Sequence, residues 1–534
     1  MLCLMSPLKK KKMLSTRISL ILLLVLALDS QVSAQITTSG LTEFQVGRVP
    51  GADETSVSTF YQQVNADYTH KTLQIGLRAE VFTTWRTDIP GSPLDQVEYR
   101  TLEIPQKYLR WSAGRAEVVV GNYYTSLGRG LTLRAFELPG VVLESQTFRR
   151  RYAPSRDLEG GTISWSGDRI EARALVGRPV IGDVPPGVKS GNPPTLIRRR
   201  NSWLAGGELA IRPSANAKLG GTVVTLTPDT PDSTYTWSAY GELDLTRFAQ
   251  KAGLGGIYSA VYAEYARLED ASTQGDGLYL SGNIGGDRLG LSLEYKDYDN
   301  LSLVVNDPPS LVREHSAVIL NRNTHVLLPL SEKGHQVEAT YTLPSLGTIT
   351  ANSSKGVNQL APGFSTTFQE QYLGLELERF IPVFSASAFL DWGKDELEGL
   401  LNHRSGGIGL EKTSDKGFTT GLDLQMKRGT RTLDASGFTD IYGQLSWRHP
   451  KGFGAGVLMD HTSDPLETDD PATLGQIESD SKTWWAINLS FSFSGKYDAL
   501  VFAGRRRGGT ACTSGTCYQV LPFKGVEVRL RTNF

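Results

Sequence analysis

Along most of the chain, apolar and polar residues alternate one by one in runs of about ten, each ending in a turn. "KTLQIGLRAEVF" sets Leu73, Ile75, Leu77, Ala79 and Val81 against Gln74, Gly76, Arg78 and Glu80. "LGLSLEYKDY" does the same with Leu289, Leu291, Leu293 and Tyr295 against Gly290, Ser292, Glu294 and Lys296. "WAINLSFSFS" opposes Trp485, Ile487, Leu489, Phe491 and Phe493 to small and polar residues. A period of two is the period of a strand, because successive side chains leave opposite faces of the backbone. Each strand therefore has one dry face and one wet face. No convincing amphipathic helix is expected beyond the N-terminal region.

The turns divide into two kinds. Tight ones recur at eleven places: "THKT" at Thr69, "SAGR" at Ser112, "SGDR" at Ser166, "PSAN" at Pro213, "QKAG" at Gln250, "GGDR" at Gly285, "PSLG" at Pro344, "RFIP" at Arg379, "SDKG" at Ser414, "HPKG" at His449 and "SGKY" at Ser494. The connections between them are mostly longer and richer in Asp, Pro and Ser. Short turns on one side and long loops on the other are how an outer-membrane barrel is organised. Eleven hairpins with a lone strand at each end predict an all-β, closed antiparallel transmembrane β-barrel of about 24 strands, within a range of 22–26. A soluble propeller or solenoid would instead show a repeat of fixed period, and none is present.

Both ends of the chain fit this reading. Residues 1–34 have the layout of a signal peptide: Lys9 to Lys12, an apolar stretch from Ile18 to Leu28, then Val32 and Ala34 before Gln35. Cleavage after Ala34 leaves residues 35–534 as the barrel, with 50 basic against 55 acidic residues, a balance that does not suggest nucleic acid. In the final "FKGVEVRLRTNF", Val526, Val528, Leu530, Thr532 and Phe534 share one face. Glu527, Arg529, Arg531 and Asn533 share the other. A sheet in lipid must close on itself to pair its backbone groups, so this last strand is expected to zip against the first. The terminal Phe534 is expected to act as an assembly signal for the barrel-assembly machinery. Cys512 and Cys517, a close pair in an exported chain, are expected to form a loop disulfide.

A barrel of this strand number is wide, and its bore needs something to occlude it. Strand texture begins almost at once, at "GLTEFQV", so the candidates are three long connections: Gly121 to Asp157, Pro179 to Arg200 and Leu301 to Lys333. "GNYYTSLGRGLTLRAFE", "NDPPSLVREHS", "LNRNTHVL" and the ending "LPFKGVEVRL" resemble a family of exported bacterial outer-membrane β-barrel proteins defined only as a domain of unknown function. That resemblance implies the barrel and carries no activity with it.

The third connection is the densest chemically. Arg313, Glu314, His315, Asn321, Arg322 and His325 fall within thirteen residues. They are read either as the lining of a constriction or as a self-satisfied network that staples the loop to the wall. In the second case Arg313 and Arg322 are expected to meet lumenal carboxylates such as Glu294, Glu376 or Glu378, and "REHSAVIL" to lie along the wall like a strand. No catalytic residues are assigned, because no nucleophile has a base in evident reach. His315 and His325 supply only two of the three or four ligands that zinc takes, so no metal and no cofactor is expected. Arginine runs at 149–151, 198–200 and 505–507 on the loop side are expected to meet lipid and glycolipid phosphates or to snorkel at the rim. Two functions stay open: a channel or transporter for a polar solute, gated by its loops, or a non-conducting anchor or scaffold for surface-protein assembly or export.

Overall fold

The computed structural model describes residues 35–534 apart from 51–54, 88–98, 137–142, 146–147, 151–156, 181–186, 190–194, 198–200, 228–232, 254, 272, 302–304, 307, 312, 314, 323–324, 326–330, 362, 382, 434, 468–481 and 514–515. The proposed signal peptide, Glu314, Arg151 and Arg198 to Arg200 thus lie outside the described residues.

Alternation becomes architecture directly. The sheet has 24 strands, running from Gln35–Val49 to Phe523–Asn533, and consecutive barrel strands pair antiparallel around the ring. The first strand pairs with the last from Ser39 opposite Asn533 to Arg48 opposite Lys524, so the sheet closes and has no edge. Phe534 extends that seam by two backbone bonds, donating its N–H to Thr38 O at 2.7 Å and accepting from Thr38 N at 2.9 Å. Across the same seam Arg529 Nε donates to Glu43 Oε2 at 3.3 Å on the inner face. All eleven tight turns join neighbouring strands as expected. One of them, near Gln250, contains a short helix, Thr246–Lys251.

The two faces sort by alternation. Ile75 and Leu77 are 43% and 41% exposed and point out to where lipid lies, whereas Glu80 on the alternate face is 4% exposed and points in. Exposed aromatics band the outer wall at two levels. Trp111, Trp165, Trp447 and Phe493 lie towards the tight turns, and Trp203, Trp237, Trp392 and Trp485 lie towards the long loops. Two girdles flanking an apolar band are the signature of a barrel that crosses a membrane. The fold is a closed outer-membrane-type barrel.

The interior departs from the expected uniformly polar lumen. Val119, Leu175, Leu204, Val224, Tyr240, Tyr262, Ala266, Leu268 and Tyr279 turn inward from one arc of the wall. They form an apolar core with Leu127, Leu131, Leu133, Leu301 and Val305, which belong to loops. The alternation rule assigns a face to each residue but does not say what covers it. Here protein covers it, so the inner face of this arc is as dry as the outer.

Candidate functional site: an occluded bore

Among the described residues two loops fold into the barrel, and they are held by different chemistry. The first is a hairpin, Thr125–Leu127 paired with Leu133–Ala135. Its tip "GRGL" turns through Gly128 and Gly130, at φ 55° and 99°, in the left-handed region that glycine adopts without strain. At Gly128 a Cβ would also stand 2.7 Å from Glu264 Oε1, so any side chain there would push the Glu264 carboxylate aside. Leu127, Leu131 and Leu133 are at most 1% exposed. Polar groups at the tip are answered individually: Arg129 N donates to Glu264 Oε2 at 2.9 Å, and Thr132 Oγ1 lies 2.8 Å from Thr222 Oγ1.

The second is the connection between strands Leu289–Asp299 and Ser331–Leu343. It begins in the same apolar core, through Leu301 and Val305. Asn306 then ties it to the hairpin, donating Nδ2 to Gly130 O and Leu131 O at 3.0 and 2.9 Å and accepting from Arg134 N at 2.7 Å. Tyr298 donates its hydroxyl to Pro309 O at 3.1 Å. Beyond Pro309 the character changes. Arg313 pairs with Glu338. His315 Nε2 lies 2.9 Å from Glu370 Oε1. Ile319 N donates to Gln425 Oε1 at 3.1 Å, and Arg322 Nη1 to Asp460 Oδ1 at 2.8 Å. His325 Nδ1 lies 2.9 Å from Asp395 Oδ2. These partners stand on five different strands, so the segment from Leu311 to His325 spans a wide arc of the inner wall.

The six-residue cluster singled out in the sequence is therefore brought together in part, as a clamp. Arg313, His315, Arg322 and His325 each find a wall carboxylate. Asn321 is the last residue of the short helix Val318–Asn321, and Glu314 lies outside the described residues. Two expectations are corrected. "REHSAVIL" does not form a strand along the wall, because Ile319 and Leu320 are both buried, and consecutive residues can share a buried side on a helix but not on a strand. The arginines do not meet Glu294, Glu376 or Glu378: Arg313 pairs with Glu338 and Arg322 with Asp460, whereas Glu376 and Glu378 lie nearer the tight turns than Glu338 does. Instead Glu376 and Glu378, with Glu411, Asp423 and Gln444, line a cavity of about 470 Å³ on the inner wall.

Sequence reasoning missed the strongest part of the clamp. Lys296 is 0% exposed and pairs with Glu332, itself 2% exposed, so the two strands that flank the loop are joined at its root. His325 Nε2 stands 3.8 Å from the same Glu332 while Nδ1 faces Asp395, and its ring stacks on Phe368 at 4.3 Å. Lys296, Glu332, His325 and Asp395 thus make a buried chain of alternating charge. Burial opposes protonation of His325, but the hydrogen bond to Asp395 and the charge of Glu332 outweigh it and raise its pKa to about 9. The signal for this chain was present as charges at the loop ends of inward faces, yet nothing in the sequence paired them.

The expectation for the arginine run at 505–507 is corrected at Arg507. Arg507 turns into the bore, where Nη2 donates to Glu467 Oε2 at 2.9 Å and Nη1 stands 3.3 Å from Asp440 and 3.8 Å from Asp460. It shares Asp460 with Arg322. With three carboxylates around it inside the bore, Arg507 does not snorkel at the rim. Downstream, Cys512 and Cys517 are backbone register partners in the ribbon of Gly509–Thr513 with Thr516–Val520. Among the described residues no group of three or more His, Cys, Asp or Glu is placed to hold a metal.

Residues 33–369 match the model of a family of unknown function, DUF6029. The chain belongs to that family. The matched DUF6029 region contains both inward loops but ends before Asp395, Asp440, Asp460 and Arg507, so the far side of the clamp lies outside it. No curated protein matches the chain. Among solved structures, the P pilus usher PapC translocation pore is 10% identical, with a TM-score of 0.49 over 93% of this chain and 99% of that one. The siderophore receptor PirA from Pseudomonas aeruginosa is 10% identical at a TM-score of 0.43, covering 95% of this chain and 81% of its own. OccAB4 from Acinetobacter baumannii is 12% identical at 0.39, covering 71% and 97%.

Proposed function

We propose that this protein is an outer-membrane channel or transporter for a polar solute. In this reading the segment from Leu311 to His325 is the gate and the Thr125–Ala135 hairpin is a fixed partial plug. The observation that carries the proposal is the ionic clamp. A loop meant to stay would be held by apolar burial, as the hairpin is. Ion pairs inside a barrel compete with water as soon as the segment lifts, so their release is far less costly than exposing a leucine core. The carboxylate-lined cavity on the inner wall offers a polar solute a place beyond the gate, towards the tight turns. No catalytic step is assigned to any residue, and export and insertion through barrel-assembly machinery that reads the Phe534 end of the chain belong to the same proposal.

The apolar core that fills one arc of the bore favours a second reading, a non-conducting anchor or scaffold. Planar-bilayer recordings separate the two. Deleting residues 310–327 leaves Asn306 and the hairpin in place, and is expected to raise single-channel conductance severalfold while the barrel still migrates as a heat-modifiable band. Conductance at the parental level in a folded deletion variant would favour the scaffold.

A further inference from the structure

The outer wall carries a feature that occlusion of the bore does not use. Strands Leu400–Thr413 and Thr419–Arg431 place Arg404 directly opposite Arg428. Both are exposed, and alternation turns both outward, since His403, Ser405, Lys427 and Gly429 beside them are buried inside. Like charges directly opposite each other on adjacent strands repel. Neither guanidinium has a hydrogen bond or ion pair with any described residue, in a protein where Arg313, Arg322, Arg431 and Arg507 all meet carboxylates. The level is that of the upper aromatic girdle, because Trp392 is the partner of Arg404 on its other side.

Towards the tight turns from this pair the wall is indented. Gly406, between Leu390 and Met426 in register, supplies no side chain, and a Cβ built there would meet Leu390 Cδ2 at 3.3 Å. Leu373, Leu390, Ile408, Leu424, Met426 and Ile441 surround the floor of a groove of about 1040 Å³ that reaches Arg404 and Arg428 at its upper end. Two unneutralised forks above an apolar trough match one kind of molecule. We infer that this groove binds a phosphate-bearing lipid of the outer leaflet, with an acyl chain over Gly406 and a headgroup phosphate bridged by Arg404 and Arg428. The phosphate removes the repulsion between the two guanidiniums and takes charge-assisted bonds from both. On the step nearer the loop end, Thr430 donates to Asn402 Oδ1 at 3.3 Å, which leaves the Asn402 amide to donate to headgroup oxygens.

Native mass spectrometry of the full chain in detergent tests the site with three probes: lipid A, lipid A stripped of its phosphates, and inorganic phosphate. The wild-type chain is expected to retain lipid A at least tenfold better than the dephosphorylated lipid, and inorganic phosphate at equal concentration is expected not to displace it. R404Q/R428Q is expected to lose that preference, and G406L to weaken retention with both arginines intact. Equal retention of the two lipids by the wild-type chain would overturn the assignment without recourse to any variant. Displacement by inorganic phosphate, or unchanged retention in heat-modifiable R404Q/R428Q or G406L, would overturn it as well.

Discussion

The hairpin at 125–135 and the segment at 311–325 occupy the same bore, yet they are different kinds of object. The hairpin buries three leucines against an arc of inward-facing apolar residues, takes polar contacts from the wall at its backbone and hydroxyls, and lays the Arg129 guanidinium over the Tyr262 ring at 4.9 Å. The segment buries Ile319 and Leu320 but takes its position from Arg313, His315, Arg322 and His325, each matched to a carboxylate on a different strand. Apolar burial is indifferent to pH, whereas an ionic clamp depends on protonation and on every partner being present. The difference teaches that two loops occluding one barrel can be held by different chemistry.

The largest effect is expected where the ionic side is most deeply buried. Lys296→Met removes the buried cation that pairs with Glu332 and leaves His325 beside it, and breaking such a buried pair costs about 3–5 kcal/mol. Urea unfolding of the refolded barrel should show this loss. A loss no larger than that of an exposed pair would mean that water reaches Lys296 and that the comparison is drawn in the wrong place.

Next is the apolar side. Leu131→Ala removes packing from a residue 1% exposed, at a cost of about 2–5 kcal/mol, yet the conductance of the folded variant should stay near the parental level. A Leu131→Ala variant that conducts freely would make the hairpin part of the gate.

The smallest and most specific effect is in pH. His325 has a folded-state pKa of about 9, above its ordinary value of 6.5, so its contribution to holding the segment is fully present below about pH 6.5. That contribution is lost as pH rises through about 9. Open probability should therefore be flat between about pH 5 and 6.5 and climb between about 7 and 10. H325Q should remove the step, and a step that survives in H325Q would assign the titration to another group.

How far all this could be read in advance differs by level. Leu73 to Glu80 and Val526 to Asn533 show why the barrel was legible. A strand's face assignments depend only on neighbours in the chain, and hairpin turns are local too, so eleven turns counted along the sequence lead to the 24 strands observed. The seam between Thr38 and Phe534 followed because a sheet in lipid has no other way to pair its last strand. The loop at 301–333 was legible as an inward segment, since its arginines and histidines needed partners that a barrel keeps inside. Which partners they take was not. Arg322 reaches Asp460 over a separation of 138 residues, and His325 reaches Asp395 over 70.

What the sequence by itself determined, then, is everything set by period and proximity: strand, face, turn and closure. What only the tertiary structure decided is what fills the bore and what stays uncovered on the wall. Lys296 and Glu332 become a root for the inward segment because the pairing of their two strands brings both side chains to the same buried place. The valines and leucines of one arc become a core because the hairpin happens to reach them, and Arg404 and Arg428 become a pair only through strand register. The physical reason is the same in each case. These interactions depend on distance in space across a curved sheet, and a pattern of period two is blind to that distance.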